Sequence, residues 1–520
     1  MTPLLSSIIR RKPRRQGTLW LVGANSVLNV LTFIRGIVLV PLYLRFVGGE
    51  LYGAWLAIGG IVAFLGLCDG GLSSVLTQKV GEAYGAGDSR RLAHYVGSGL
   101  LTMVFLSPLP VLAGLALAPR LPQLFGLQGQ EFHVLKPAFV LACGSVSLMI
   151  IATSVGGMVC AFQRQALHGL IWIIAYSSGI VITLTLLFYG YGLLSLAWGV
   201  VSQSALLLVM EGAVFWKLRK QLLAAFSLEI SWQTTVELLK PSALMFVARS
   251  GNILAGQSDN LLIGIVMGSP AVVVYDLTKR AYELLRLILG TPIGAFAPAL
   301  AHFFGELQGE TAQGRDLTAA LLHLSTLVGL VFIGGYLILN RAFMRLWVGS
   351  VFYAGELVVS LISIHGLIAA QSLALYHILL SRGHFSVAAW ATGGEGVIHL
   401  LLVFIFGRQW GLPGVSLAGV VSLAAWSWWL LWHRYCQDFH ISWSEALGQM
   451  LPLAGVGVGL LAIGLFLRHL PPPTTAAAFL GQGVCYLGAA SLWVVLVDRR
   501  LRGLAADVLQ GRPLIFSPPP

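Results

Sequence analysis

Long apolar runs alternate with short polar segments along the chain from residue 17 to residue 497. Two of these runs are LLTMVFLSPLPVLAGLALA at 100–118 and LVVSLISIHGLIAAQSLALYHILL at 357–380. A helix needs about 20 apolar residues to cross a bilayer. The pattern therefore predicts an all-α polytopic membrane protein with about 14 transmembrane helices. The spans are expected near residues 17–44, 52–76, 95–118, 134–160, 168–189, 193–216, 240–266, 271–300, 318–340, 356–380, 385–406, 411–432, 447–467 and 476–497.

Composition supports this prediction and excludes several classes of protein. Of the 520 residues, 57% are hydrophobic and only 10% are charged, whereas soluble domains are about 25% charged. The net charge of +12 comes mainly from loops between apolar runs, so no nucleic-acid partner is expected. The five cysteines and twelve histidines are scattered, and Glu395 and His399 lack further ligands. No metal, cofactor or disulfide framework is therefore expected.

Basic residues in the loops predict the orientation of the chain. If both termini are cytoplasmic, 20 of the 32 Lys and Arg residues fall on the cytoplasmic side, 7 on the opposite side and 5 within spans. Loops rich in Lys and Arg stay in the cytoplasm. The basic N-terminus leads into an apolar stretch that is too long for a signal peptide, and we interpret it as a retained first span.

The chain also repeats itself at a spacing of about 220 residues. FQRQALHGLIW at 162–172 matches LSRGHFSVAAW at an offset of 218, YGLLSLAWGVVS at 191–202 matches WGLPGVSLAGVVS at 219 to 221, and FVG at 46–48 matches VMG at 220. These matches predict two pseudo-repeated six-helix lobes followed by two additional C-terminal helices. The predicted segments are a basic cytoplasmic N-terminus (1–16), an N-lobe (17–220), a cytoplasmic linker (221–239), a C-lobe (240–435), spans 13 and 14 (436–497) and a cytoplasmic tail (498–520).

The segment YDLTKRAYELLR at 275–286 carries an unusual density of charge for this chain. Asp276, Lys279, Arg280, Glu283 and Arg286 would share one face of span 8 if it is helical. Charges that face lipid are costly, so these must face water, each other or a ligand. Three interpretations stay open: an external loop or amphipathic segment, an ion-pair network that fixes helix packing, or the cationic wall of a water-filled cavity.

Polar residues also mark spans 1, 2 and 7. Arg249, Asn252, Gly256, Asp259 and Asn260 share one face of span 7, and Asn29 lies on a polar face of span 1 with Arg35 slightly off it. Arg35 and Arg249 have no carboxylate one helical turn away. Asp69, in GLCDGGLSS on span 2, is a candidate for ion coupling, against the alternative of a helix-end or packing role.

The residues at 46–88, FVGGELYGAWLAIGGIVAFLGLCDGGLSSVLTQKVGEAYGAGD, resemble the start of bacterial polysaccharide-transporter flippases. That family belongs to the superfamily of multidrug, oligosaccharidyl-lipid and polysaccharide exporters. The segment QSDNLLIGIVMGSPAVVVYDLTKRAYELL at 257–285 resembles its seventh and eighth spans, with Asp259 and Tyr275 in the expected places. LWVGSVFYAGELV at 346–358 and WGLPGVSLAGVVS resemble later landmarks.

The resemblance implies two six-helix bundles in a V shape and transport by alternating access. It further implies an O-antigen or exopolysaccharide flippase, and no enzyme, in the bacterial inner membrane. The substrate would be a polyprenyl-pyrophosphate-linked oligosaccharide; other candidate partners are membrane lipids, H⁺ or Na⁺, and the polysaccharide polymerase machinery. Candidates for ion coupling are Asp69 and Asp259. The candidate substrate-binding residues are Arg35, Arg249, Lys279, Arg280, Arg286, Asn29, Asn252 and Tyr275.

Three alternatives are kept at this point. A multidrug or organic-cation exporter with the same fold would favour carboxylates and aromatic faces, whereas the excess charge within these spans is basic. A lipid II flippase would recognise the same pyrophosphate chemistry. A membrane glycosyltransferase or polysaccharide polymerase would need a large external loop or an acidic metal-binding motif, and the sequence shows neither.

Overall fold

A computed structural model describes residues 14–126, 130–222, 229–306, 311–448, 450–469 and 471–498. These residues form helices joined by short connections, with no strand among them, which confirms the all-α prediction. Most of the predicted N-terminal segment, the middle of the predicted linker and the tail after residue 498 lie outside the described residues.

The described residues fall into two compact units. Unit 1 contains those up to Ile253 together with Gly268–Pro270, and unit 2 contains Leu254–Met267 and those from Ala271 onward. The predicted domain boundaries stay a prediction. The helices up to the end of span 6 are α1 (Arg14–Phe33), α2 (Val40–Phe46), α3 (Gly49–Leu65), α4 (Leu72–Ala86), α5 (Ser89–Leu106), α6 (Leu109–Leu117), α7 (Leu121–Phe125), α8 (Gln130–Ala161), α9 (Gln165–Phe188) and α10 (Leu193–Leu222).

The remaining helices include the longest of the chain. They are α11 (Trp232–Met267), α12 (Ser269–Glu306), α13 (Thr311–Trp347), α14 (Glu356–Ser381), α15 (Phe385–Ser422), α16 (Trp429–Phe439), α17 (Trp443–Gly448), α18 (Leu451–Arg468) and α19 (Ala476–Val497). Short π-helical segments at Ile34–Val38 and Leu423–Trp428 interrupt spans 1 and 12.

Each of the fourteen predicted spans coincides with a helical stretch of the described residues. Ten stretches are long and apolar enough to cross a membrane. One of them, Phe385–Phe439, covers two predicted spans because its backbone breaks at Gly411, where φ is 63°. The other three predicted spans are the shorter apolar helix Leu453–Leu467 and the polar-faced helices α11 and α12.

The backbone repeats at an offset of 219 to 220 residues. Three connections place a residue of positive φ at matching positions: Gly48 (88°) and Gly268 (87°), Gln163 (62°) and Gly383 (85°), and Gly192 (52°) and Gly411 (63°). In the second pair, Arg164 N–H donates to Val159 O and His384 N–H to Leu379 O, which closes the same helix-ending turn. The turn therefore matches Arg164 with His384, and the predicted match to Arg382 at an offset of 218 is wrong by two residues.

Apolar side chains hold each unit together. In unit 1, Leu76, Val96, Met158 and Leu238 belong to one buried cluster. In unit 2, a cluster around Trp432 joins helices α13 to α16. Many large apolar side chains remain exposed on the outer faces of the helices, as expected of a chain surrounded by lipid.

Spans 13 and 14 brace span 9 within unit 2. Leu453, Val456 and Tyr486 pack with Leu327 of α13 in one buried cluster. The Tyr486 hydroxyl donates to Val331 O at 2.8 Å, and the absence of a side chain at Gly335 leaves room for its ring. The two additional helices thus contribute to the core of unit 2.

Span 2 breaks where two consecutive glycines follow Asp69. Helix α3 ends in a 3₁₀ turn at Gly66–Asp69, and Gly70 and Gly71 have φ of 60° and 76°. Gly71 also lies directly against α11, because an added Cβ would come within 2.9 Å of Phe246 N and Ser242 O. The break therefore needs glycine for both its conformation and its close contact.

We expect Gly71→Ala to destabilise unit 1 much more than Gly70→Ala. Both alanines would adopt a left-handed conformation at a cost of about 1–2 kcal/mol, but only residue 71 also meets backbone atoms of α11. Overpacking adds about 1–3 kcal/mol. The thermal unfolding midpoint of the purified protein in detergent measures the difference. Equal midpoints for the two variants would contradict the close contact at Gly71.

Candidate functional site

The break in span 2 holds a buried carboxylate. Asp69 is 2% exposed, and its Oδ1 accepts a hydrogen bond from Gly71 N–H at 3.0 Å. The Ser73 hydroxyl donates to Oδ2 at 3.1 Å and lies 2.9 Å from the Ser154 hydroxyl of span 4. Since the backbone turn supplies a donor, the carboxylate is fixed in position before any cation reaches it.

Arg249 of span 7 supplies the opposite charge. Its Nη1 donates to Asp69 Oδ2 at 2.7 Å. The Asp69 side chain is 3% exposed, whereas that of Arg249 is 47% exposed. A guanidinium carries five N–H donors in a planar fork. The unit 1 pair, Asp69 and Arg249, therefore presents part of a guanidinium on the surface of unit 1 while the carboxylate stays buried.

A larger network forms in unit 2 around Asp259, which is 4% exposed. Lys279 Nζ lies 3.0 Å from its Oδ2, and the Tyr275 hydroxyl donates to the same oxygen at 3.2 Å. His399 Nε2 of span 11 lies 2.8 Å from its Oδ1, and His399 Nδ1 lies 3.3 Å from the Ser422 hydroxyl of span 12. One carboxylate thus joins spans 7, 8, 11 and 12.

The charged face of α12 continues this network. Asp276 pairs with Arg280 and accepts a hydrogen bond from Asn260 Nδ2 at 2.8 Å. Glu283 lies 3.2 Å from Lys279 Nζ and 3.5 Å from Arg286 Nε. We call Asp259, Asp276, Lys279, Arg280, Glu283, Arg286 and His399 the unit 2 network. Its three carboxylates match its three Lys and Arg cations.

The structure decides between two readings of residues 272–286. They belong to the continuous helix α12, so the loop alternative is wrong. The pairs expected at i,i+3 and i,i+4 are present: Asp276 with Arg280, Lys279 with Glu283 and Glu283 with Arg286. The ion-pair network therefore exists, and the cationic-wall reading stays a prediction.

The remaining candidate residues lie apart from these carboxylates. Arg35 sits in the π-helical segment Ile34–Val38, with its guanidinium 5.7 Å from the centre of the Tyr176 ring. Asn29 is partly buried on α1. Asn252 is exposed and donates to Ala248 O at 3.1 Å within its own helix. Arg286, at the outer end of the charged face, is 50% exposed.

Three contributors were missed in the sequence. His399 was considered only as a metal ligand with Glu395, and Ser73 and Ser154 attracted no attention. An intramembrane histidine is itself a functional signal, so His399 could have been found, but nothing nearby in the sequence identifies Asp259 as its partner 140 residues away. Within the described ranges, no three His, Cys, Asp or Glu side chains come together to hold a metal ion.

Comparison with solved structures defines the class of protein. The chain is similar to the lipid II flippase MurJ in an inward closed conformation, with a TM-score of 0.68 and 13% identity over 93% of this chain and 100% of that one. It is also similar to a multidrug resistance MATE family transporter of the MOP superfamily in an inward-facing conformation, with a TM-score of 0.64 and 12% identity over 80% and 96%. At such low identities these likenesses show the fold, which is that of a membrane transporter.

Sequence comparison narrows the class to a family. The profile of the polysaccharide biosynthesis protein family matches residues 16–304, more than half of the chain. The uncharacterized membrane protein EpsK of Bacillus subtilis (strain 168) is 23% identical over 415 residues, covering 77% of this chain and 79% of that protein. The chain belongs to the polysaccharide biosynthesis protein family and is a multi-pass flippase-type transporter of the MOP superfamily. The resemblance seen in its sequence is confirmed.

We expect Arg249→Ala to destabilise unit 1 and Asp69→Asn to reverse most of the loss. Removing the guanidinium leaves a buried carboxylate without its opposite charge, at a cost of about 1–3 kcal/mol. A fully buried pair would cost more, but Arg249 is half exposed and Gly71 and Ser73 still donate.

A double-mutant cycle on thermal unfolding in detergent measures the coupling. The cycle uses Arg249→Ala, Asp69→Asn and the double variant. Coupling is expected because the neutral amide no longer needs a cation. Strictly additive effects would show that the two side chains do not stabilise each other.

Proposed function

We propose that this protein translocates a polyprenyl-pyrophosphate-linked oligosaccharide, an O-antigen or exopolysaccharide repeat unit, from the cytoplasmic to the outer leaflet by alternating access. The observation that carries the proposal is the half-exposed guanidinium of Arg249, fixed on a buried carboxylate in a membrane-spanning helix. Membership of the polysaccharide biosynthesis family supports the substrate class.

The unit 1 pair has the chemistry of a phosphate site. Asp69 holds Arg249 through Nη1, so the rest of the guanidinium can meet a pyrophosphate oxygen with parallel N–H donors. Such bonds are strong in a medium of low dielectric constant. Because Asp69 is anchored by Gly71 and Ser73, it orients Arg249 at no further entropic cost when the ligand arrives.

Exposure changes the ranking of the cations in unit 2. The Lys279 and Arg280 side chains are only 15% and 24% exposed and are paired with Asp259 and Asp276, respectively. Arg286 is 50% exposed and is held by Glu283 at 3.5 Å. We therefore assign direct phosphate contact to Arg249 and Arg286, and assign Lys279 and Arg280 to positioning the network.

Asp69 and Asp259 are the proposed sites of coupling to H⁺ or Na⁺. A proton on either carboxylate would weaken its hold on Arg249 or Lys279, so proton binding and the availability of that cation are linked. A phosphate that draws Arg249 away from Asp69 favours protonation of Asp69 for the same reason. Reciprocal linkage of this kind couples an ion to a substrate.

The multidrug alternative fits the site less well. An organic cation would be repelled by the exposed guanidinium groups of Arg249 and Arg286. Lipid II carries the same pyrophosphate, and the likeness to the flippase MurJ keeps it as the second candidate substrate. A glycosyltransferase or polymerase receives no support from the similar structures, which are transporters.

We place the protein in the bacterial inner membrane with both termini in the cytoplasm, beside the polysaccharide polymerase machinery that would consume its product. The bias of basic residues toward one side supports this orientation. Consumption of the product in the outer leaflet would draw net transport in one direction without direct use of ATP.

The test depletes the protein in its native host and follows the lipid-linked oligosaccharide in each leaflet. Accumulation on the cytoplasmic face is expected, and wild type should reverse it. Arg249→Gln and Arg286→Gln should each slow transfer about 10-fold or more, because each loses a hydrogen bond to a charged group. Susceptibility to a membrane-impermeant glycosidase, in sealed vesicles of both orientations, reports the leaflet.

Arg408→Gln is the matched control. Arg408 lies on the side predicted to be external, with its guanidinium 4.0 Å from the centre of the Phe404 ring, so its loss should leave transfer unchanged at equal expression. Depletion without any accumulation would rule out this substrate. Full rescue by Arg249→Gln and Arg286→Gln would keep the function and remove the phosphate site.

A further inference from the structure

Unit 1 contains a cavity that the proposed transport step does not use. It has a volume of about 190 Å³ and is lined by Arg91, His94 and Tyr95 of α5 and by Thr234 and Glu237 of α11. Arg91 and His94 lie in the first two turns of α5, and Thr234 and Glu237 lie in the first two turns of α11. The basic loops predict that this end of both helices is cytoplasmic.

Backbone contacts build the wall of this cavity. Gly97 lies so close to residue 229 that an added Cβ would be 2.5 Å from Glu229 O. Ser231 N–H donates to the Ser98 hydroxyl at 3.0 Å, and that hydroxyl lies 3.3 Å from Ser231 O. The start of α11 is therefore fixed on α5 before any ligand binds.

Two side-chain pairs complete the wall. His94 Nε2 lies 3.0 Å from Glu229 Oε2, and the Tyr95 hydroxyl donates to Glu237 Oε1 at 2.7 Å. The buried His94 Nδ1 has no hydrogen-bond partner among the described residues. The 190 Å³ cavity thus offers cationic, anionic and hydroxyl groups within one small volume.

This mixture excludes several classes of ligand. A phosphate would meet the Glu237 carboxylate, and an organic cation would meet Arg91. An apolar drug would find little apolar surface, since the Tyr95 ring is the main apolar group in the lining. A neutral sugar ring suits all five side chains, because its hydroxyls donate to a carboxylate, accept from a guanidinium and can pack against an aromatic ring.

We propose that this cavity binds one neutral sugar residue of the lipid-linked oligosaccharide. The inference rests on the proposed function, and it gives the protein a glycan-recognition site separate from the phosphate contacts. A polyprenyl chain keeps the head group at the membrane surface, where α5 and α11 begin. The local concentration of sugar at the cavity is therefore high even when its intrinsic affinity is modest.

The test measures binding of the water-soluble oligosaccharide released by mild acid from the lipid carrier of the native host. Saturation-transfer NMR and titration calorimetry with the purified full-length protein report binding and Kd. Arg91→Gln and Thr234→Val should each weaken binding about 10-fold, because each removes a hydrogen-bonding group from the cavity. The contacts between α5 and α11 come from other side chains, so both variants should keep the wild-type unfolding temperature.

Arg90→Gln is the control, since Arg90 is an exposed neighbour that does not line the cavity. Equal Kd values for wild type, Arg91→Gln and Thr234→Val would overturn the proposal. Displacement of the oligosaccharide by inorganic pyrophosphate at equal concentration would also overturn it, by showing an anion site.

The leaflet assay separates this inference from the proposed function. If depletion traps the lipid-linked oligosaccharide but the released sugar does not bind to wild type, the cavity proposal fails and the transport function stands. If depletion leaves the lipid-linked oligosaccharide unchanged in both leaflets, the proposed function fails, and the glycan assignment fails with it.

Discussion

Pairing of charges in a medium that cannot solvate them is the constraint on which this structure depends. A charged side chain in the middle of a bilayer costs at least about 2.5–3.5 kcal/mol, and the spans of this protein carry many. Asp69 meets this cost with Arg249, and Asp259 meets it with Lys279. Each of these pairs also joins different spans, so the groups that would destabilise isolated helices hold the assembled units together.

The duplicated backbone shows that these charges are not required by the fold. At the offset of 220 residues, the positions of Asp259, Lys279 and His399 correspond to Leu39, Gly59 and Gly179. Leu39 is 3% exposed, and Gly179 lies directly against the backbone of Gly199. The same arrangement of spans is therefore built in unit 1 with apolar and small residues at these positions. The unit 2 network persists for a reason other than folding, which is the strongest structural argument that it serves transport.

Local periodicity predicted much of this structure, and long-range contacts limited the rest. Apolar runs located the spans, and spacing along α12 predicted the pairs of Asp276 with Arg280 and Glu283 with Arg286. Arg249 appeared to lack a carboxylate because its partner lies 180 residues earlier. The depth of the break at Asp69 was also not predicted, since it depends on the close contact between Gly71 and α11 as well as on glycine content.

Exposure of the paired cations decides which of them can act on a ligand. A fully buried pair such as Lys279 with Asp259 satisfies both charges internally, and a ligand would have to break it before gaining anything. Arg249 and Arg286 are held by carboxylates yet remain about half exposed. Their position is defined by the protein, while part of each guanidinium stays available for hydrogen bonding. A transporter must bind its substrate and then release it, so cations that are partly neutralised suit this task better than free ones, whose stronger hold on a pyrophosphate would oppose release.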